Sequence, residues 1–138
     1  MANGRALRGQ RVFCSNRAQR RGCGRTFPLF FAEVLPRHSV RAVCLWQLLL
    51  RLLKGSSTKA AVEALVLPFS LEGLYHLLKR LCGRLPDLRC VLSCQKPAPD
   101  SSQSDPLLQT VEHLQSVFTQ KACALSAFQL RFQKPFLG

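Results

Sequence analysis

The sequence predicts a mainly α-helical fold, in which a trihelical helix-turn-helix bundle follows a small β hairpin and precedes one C-terminal helix. Two observations carry this prediction. Apolar residues recur at helical spacing in three segments between residues 39 and 85, and aromatic and β-branched residues cluster in two short segments before residue 32. With 138 residues, 47% of them hydrophobic, the chain can bury a core. We divide it into a basic arm with the hairpin (1–37), a helix-turn-helix domain (38–94), a linker (95–105) and a C-terminal helix with a tail (106–138).

Two short strands are predicted in the basic arm. Residues 12–13 suit the first strand and residues 26–31 the second, because both segments are rich in aromatic and β-branched side chains. Gly22 and Gly24 flank Cys23, a pattern that is typical of a tight turn. A strand, a cysteine, a tight turn and a second strand form the general shape of a zinc knuckle.

The segments RVFC (11–14) and CGRTF (23–27) carry a likeness to a known family. Together they resemble the second half of the zinc ribbon in bacterial insertion-sequence transposases, which reads aromatic-Cys-x-x-Cys-x-Arg-Thr-Phe. The resemblance covers roughly residues 11–89. It implies a zinc-ribbon-like hairpin and a helix-turn-helix that together bind transposon DNA. In that family a separate ribonuclease-H-like domain carries the acidic catalytic triad.

The chain departs from this family pattern at its cysteines. Cys14 and Cys23 are separated by eight residues where the family has two, and no earlier cysteine supplies the first ligand pair of a ribbon. A structural zinc site normally has four ligands. We therefore expect no resident cofactor; if zinc binds, Cys14 and Cys23 are its candidate ligands. No catalytic domain is recognisable either.

The first helix of the bundle is predicted from Ser39, its candidate cap, to Lys54. Apolar residues cover most of its circumference, and the remaining polar stripe is too narrow for a helix that lies on a membrane surface. The helix should therefore be buried, with Trp46 in the core. Gly55 is expected to end it, because glycine adopts the left-handed conformation of a helix C-terminus readily.

The second and third helices are predicted over the stretch 56–84. Ser56 or Ser57 starts a two-turn helix that reaches Leu65, and Ser70 caps the next one. The third helix has an apolar face and a polar, basic face. The apolar face consists of Leu71, Leu74, Tyr75, Leu78, Leu81, Cys82 and Leu85, and the polar face of Glu72, Gly73, His76, Lys79, Arg80, Gly83 and Arg84. The alternative is an ordinary amphipathic helix with a solvated polar face.

After the third helix the pattern weakens. The residues Leu85-Pro86-Asp87 predict a break or kink, with one or two further helical turns behind it. We interpret Cys82, Cys90 and Cys94 as core residues, because their spacing matches no metal-binding knuckle.

A new helix begins at Asp105 and Pro106, a cap followed by a proline in the first turn. One apolar stripe follows, formed by Leu107, Val111, Leu114, Phe118 and Leu125. This helix should dock on the bundle or pair with another copy of the chain. The position of the tail from Phe128 is not predicted.

Charge indicates the class of partner. The net charge is +13 and the pI about 10.4, with twelve Lys and Arg against a single acid, Glu33, up to residue 59. Such a balance favours nucleic acid or an anionic membrane surface. Seven cysteines without a visible signal peptide or membrane span indicate reduced thiols in the cytosol. We therefore expect a cytoplasmic protein associated with the nucleoid.

The predicted function is binding of double-stranded DNA. The resemblance implies that the protein is related to the DNA-recognition region of a transposase, as a stand-alone remnant or an accessory protein. Glu72 and His76 would contact base edges, whereas Lys79, Arg80 and Arg84 would meet phosphates. The full set of candidate DNA-binding residues is Arg11, Arg17, Arg20, Arg21, Arg25, Lys59, Ser70, Glu72, His76, Lys79, Arg80 and Arg84.

Two other functions remain open. The C-terminal amphipathic helix could mediate protein–protein assembly, including a homo-oligomer, or the basic arm could bind an anionic membrane. Enzymatic activity is not expected, because the seven acids are scattered and His38, His76 and His113 lie in unrelated contexts. No residue is therefore assigned a catalytic role.

Overall fold

The computed structural model describes residues 9–13, 22, 24–36, 38, 40–65 and 70–137, with the backbone alone for residues 26–30. The predicted mainly helical class is confirmed. Within these described ranges, two strands are followed by five helices. They are β1 (Gly9–Phe13), β2 (Thr26–Phe30), α1 (Ala42–Leu53), α2 (Thr58–Ala64), α3 (Leu71–Gln95), α4 (Pro106–Val117) and α5 (Ala124–Phe132).

The two strands form an antiparallel pair at the positions that the sequence favours. Gly9 lies opposite Phe30, and Phe13 opposite Thr26. The side chains of Val12 and Phe13 are exposed on β1. Cys14 and Cys23, the candidate metal ligands between the strands, lie outside the described residues.

Helix α1 begins two residues later than predicted, with Arg41 rather than Ser39 at its N-cap. The backbone before it is engaged elsewhere, because Arg41 forms a β-bridge with Val34 and the Ala42 N–H donates to the Glu33 carbonyl at 3.1 Å. The helix is buried as expected, and the side chain of Trp46 is 4% exposed.

Glycine ends α1 as predicted. Gly55 has φ of 97°, and the N–H groups of Gly55 and Ser56 donate to the carbonyls of Leu52 and Arg51. These bonds satisfy carbonyls that have no partner within the helix.

The predicted caps at Ser70 and Asp105 are confirmed, and of the two serines that the sequence left open, Ser57 caps α2. The Ser57 hydroxyl accepts from the Ala60 N–H at 3.2 Å, and the Ser70 hydroxyl accepts from the Gly73 N–H at 3.2 Å. The Asp105 carboxylate accepts from the Leu107 N–H at 2.9 Å. Each cap satisfies a backbone donor that the first turn of a helix leaves unpaired.

Helix α3 continues through Pro86, so of the two predicted alternatives at residues 85–87 the break is wrong, and the kink stays a prediction. Pro86 has no N–H for the carbonyl of Cys82, but both residues are exposed, and water can satisfy that carbonyl. Leu85, Leu88 and Leu92 extend the buried row across the proline. Their burial stabilises the helix against the local cost of the proline.

The buried face of α3 is also rotated from the predicted one. Leu77, which the sequence did not assign to the core, is 8% exposed. Tyr75 and Cys82, which it did assign there, are exposed, Tyr75 by 54%. The buried row is Leu74, Leu77, Leu81, Leu85, Leu88 and Leu92.

The C-terminal region forms two helices, where the sequence predicted one stripe from Leu107 to Leu125. Helix α4 ends at Val117, and a turn closes as the Lys121 N–H donates to the Phe118 carbonyl at 3.1 Å. This turn brings the ring of Phe118, at the end of α4, within 6.3 Å of the ring of Phe132 on α5. The ring of Phe128 lies 4.9 Å from that of Phe132 and 5.5 Å from that of Phe136. The contact of Phe118 with Phe132 requires the turn, so it favours two helices over one continuous helix.

One core joins these helices. Helix α3 packs chiefly along α4, while α1 contacts α2, α4 and α5. The Arg89 guanidinium donates to Gln109 at 2.9 Å and the Lys96 ammonium to the Ser116 carbonyl at 3.3 Å, which shows that α3 and α4 run parallel. The extended segment 96–105 therefore returns along α3 before α4 begins.

A buried glutamine connects the segment after β2 with the C-terminal tail. The Gln129 amide donates to the carbonyls of Ala32 at 2.8 Å and Val34 at 2.7 Å. Its carbonyl oxygen accepts from the Phe136 N–H at 3.0 Å. Helix α5 thus holds both the segment that leaves the hairpin and the tail.

Candidate nucleic-acid interface

The first three turns of α3 present a polar surface to solvent. We define the outer face as Glu72, Tyr75, His76, Lys79 and Arg80, all of which are exposed. The opposite side of the same turns is buried through its leucines. Because that burial fixes the rotation of the helix, the outer face has a set orientation.

The start of α3 brings a carboxylate and an imidazole together. Nε2 of His76 lies 3.9 Å from Oε1 of Glu72, and their side chains are 76% and 87% exposed. A side-chain contact so exposed contributes little to stability. Both groups can therefore exchange their mutual contact for contacts with a base edge. The neighbouring Ser70 hydroxyl already serves as the helix cap.

Two of the three cations predicted on α3 lie at the open surface. Lys79 and Arg80 are exposed, whereas Arg84 is partly buried. The Arg84 guanidinium donates to the Pro135 carbonyl at 3.1 Å and lies 3.4 Å from the Asp87 carboxylate. Arg84 thus anchors the tail and faces a neutralising acid, so its contribution to an anion-binding surface is reduced.

The basic arm is described in part. Arg11 on β1 and Arg25 before β2 are exposed. Arg17, Arg20 and Arg21 lie outside the described residues. The structure therefore places only these two of the five predicted arm cations.

Three exposed cations surround the turn between α1 and α2. Arg51 and Lys54 precede Gly55, Lys59 follows it, and all three are exposed. Only Lys59 was a candidate. The exposure of Arg51 and Lys54 could be predicted from the sequence, because both residues occupy the polar stripe of an otherwise apolar helix. Tyr75 was missed for another reason: its helical spacing assigned it to the buried face.

The three cysteines of α3 correct another interpretation. Cys82, Cys90 and Cys94 are exposed, so the assignment of these residues to the core is wrong. The buried row passes through Leu81, Leu88 and Leu92, and each cysteine follows one of these leucines by one or two residues, which turns it towards solvent. Partial burial and the nearby Asp105 carboxylate raise the pKa of the Cys82 thiol.

The other histidines are separate from the outer face. His113 is buried, and its Nε2 lies 2.8 Å from the carbonyl of Lys96, at the end of α3. His38 lies partly buried before α1. Within the described residues, no three His, Cys, Asp or Glu side chains are grouped to hold a metal ion.

Neither sequence nor fold leads to a known relative. No protein-family model, curated protein or solved structure matches this chain. The likeness to transposases therefore rests on the chain's own residues, above all on the segment 23–27. In the part of the chain that the structure describes, no helix has the length and apolar character needed to cross a membrane.

Proposed function

We propose that the protein binds double-stranded DNA, with the outer face of α3 in the major groove and surrounding cations on the phosphates. One observation carries the proposal. The capped first turns of α3 keep Glu72, His76 and Lys79 exposed while the leucines of the same turns are buried. Side chains near the start of a recognition helix meet base edges, and cations further along meet the backbone.

The distribution of charge favours DNA binding over the alternative that the polar face of α3 contacts only water. The net charge of +13 exceeds what solubility requires, and exposed cations occur on the outer face, at the α1–α2 turn and on the hairpin. Glu72 is the one acid of the outer face, and a carboxylate can accept from the amino group of cytosine. The aromatic ring of Tyr75 adds an apolar surface of the kind that contacts thymine methyl groups.

The transposase likeness supplies the finer proposal. In it, α1 to α3 act as a helix-turn-helix, the hairpin is a degenerate zinc ribbon, and the protein is a remnant or accessory of a mobile element. It would work on the nucleoid, hold no resident zinc and cleave no strand. The scattered acids support the last point, because two-metal phosphoryl transfer needs clustered carboxylates.

Assembly through the C-terminal helix is the weaker alternative. Leu107, Val111 and Leu114, the stripe that motivated it, are buried within the chain's own core. A partner could reach them only after α4 separates from α3.

A titration of duplex DNA at several salt concentrations tests the proposal. If the protein neutralises about six phosphates, the logarithm of the affinity should fall against the logarithm of salt with a slope of about −5. A matched pair of variants locates the surface: Lys79→Ala should weaken binding, whereas Lys121→Ala, an exposed cation after α4, should not. An affinity that does not change with salt would exclude the proposal.

A deletion separates the arm from α3. If loss of residues 1–25 abolishes binding and all outer-face variants bind like the parent, the arm alone is the DNA-binding element. Vesicles of anionic lipid provide the comparison for the membrane alternative. Retention on vesicles without any affinity for DNA would favour that alternative.

A further inference from the structure

Two thiols lie one helical turn apart on the solvent side of α3. Cys90 and Cys94 are both exposed and neither forms a disulfide. Residues four apart share one face of a helix, with Cβ atoms about 5–6 Å apart. Leu88 and Leu92, which are buried, fix this part of the helix so that both cysteines point away from the core.

The two thiols can coordinate a soft metal ion that is stable with two ligands. Thiolates select ions such as Cu(I) and Zn²⁺, but zinc in structural sites takes four ligands. The described residues group no third metal-binding side chain with the pair. Cu(I), a closed-shell monovalent ion, is stable with two thiolates in a near-linear arrangement. At the Cβ separation that helix geometry gives to residues four apart, both sulfurs can turn towards one ion.

We propose that Cys90 and Cys94 form a two-thiolate site for a soft monovalent ion, with Cu(I) as its representative. Each thiol loses its proton when its sulfur binds the ion, so binding releases protons and weakens as the pH falls. The ion enters and leaves as Cu(I), and no electron is transferred. The site does not depend on DNA binding.

Cys82 provides a control on the same helix. It is exposed, but no other cysteine lies three or four residues from it. The raised pKa of its thiol also leaves less thiolate at neutral pH. A single thiol of this kind should lose Cu(I) readily to a competing chelator.

The test is an anaerobic titration of the full chain with Cu(I) against a coloured Cu(I) chelator. The parent and the Cys82→Ser variant should each withhold one Cu(I) per chain from the chelator. Cys90→Ser and Cys94→Ser should each lose that equivalent. Thermal unfolding of all variants should match the parent, because the replaced side chains are exposed.

Two results would overturn the proposal. One is retention of the tightly held Cu(I) by the Cys90→Ser/Cys94→Ser double variant. The other is its loss from the Cys14→Ser/Cys23→Ser double variant with the α3 cysteines intact, since the ion would then belong to the arm. Retention of one equivalent by this second double variant supports the site on α3.

Discussion

At the residue scale, His76 and Lys79 have different expected roles on the same outer face. His76→Ala should change the preferred DNA sequence, because a good base contact contributes about 1–3 kcal/mol of discrimination. Lys79→Ala should lower the affinity for DNA of every sequence by the same factor, because a phosphate carries no sequence information. It should also reduce the slope of log affinity against log salt by about one unit. Selection from random duplexes, run on the parent and both variants, measures the difference.

The same selection can contradict this assignment. If the parent and His76→Ala enrich the same motif, or if neither enriches any, His76 reads no base. A change of motif in Lys79→Ala would instead make that residue a base contact.

The buried Gln129 makes polar contacts with residues far from it along the chain. Gln129→Leu would leave the carbonyls of Ala32 and Val34 and the N–H of Phe136 without their partner. An unsatisfied buried polar group costs about 1–3 kcal/mol, and partial hydration should limit the total loss in the free energy of unfolding to about 2–4 kcal/mol. Urea unfolding followed by circular dichroism provides the measurement.

Gln115→Leu is the matched control for that change. Gln115 is exposed on α4, so the same substitution should leave the free energy of unfolding within about 0.5 kcal/mol of the parent. Equal effects at both positions would show that the Gln129 contacts contribute nothing specific.

At the element scale, alanine substitutions at two glycines should change the free energy of unfolding in opposite directions. Both glycines have open space around them. A Cβ added at Gly83 in α3, or at Gly55 after α1, would meet nothing within 4 Å. Gly83→Ala should raise the free energy of unfolding by about 1 kcal/mol, since alanine is the better helix former. Gly55→Ala should lower it by about 1–2 kcal/mol, because φ of 97° strains an L-residue.

Thermal and urea unfolding of the two variants checks this pair. Stabilisation by Gly55→Ala would mean that the turn after α1 does not hold the left-handed conformation in solution. Destabilisation by Gly83→Ala would mean that α3 is not helical at that point.

At the scale of the whole molecule, α3 depends on the helices that follow it. Removal of residues 96–138 would expose the side of α3 that packs along α4. Each leucine returned to water costs about 1.5–3 kcal/mol, and the total stability of a domain is about 5–15 kcal/mol. The fragment 1–95 should therefore show no cooperative thermal transition by circular dichroism.

A separate peptide of residues 96–138 provides the control. Its addition should restore helicity to the fragment if the lost contacts are the cause. A cooperative transition of the fragment alone would instead show that residues 1–95 fold independently, as the predicted division between a helix-turn-helix domain and a C-terminal helix implies.

The sequence by itself determined the local features. Helical spacing and composition predicted the helical class, the burial of Trp46 and the general positions of both strands. The caps at Ser57, Ser70 and Asp105 were also predictable, as was the glycine end of α1, because each depends on a side chain and the backbone a few residues away. Glu72, His76, Lys79 and Arg80 were likewise correctly placed on an exposed face.

Tertiary packing decided what local patterns left open. An amphipathic pattern with leucines at neighbouring positions fits more than one rotation, and contact with α4 selects the one that buries Leu77 and exposes Tyr75. The same contact carries α3 through Pro86, since the leucines buried on either side favour one continuous helix. The turn after α4 depends on the packing of Phe118 against Phe132, and the anchoring of Arg84 depends on a partner about 50 residues away. Spacing along a single sequence encodes neither contact.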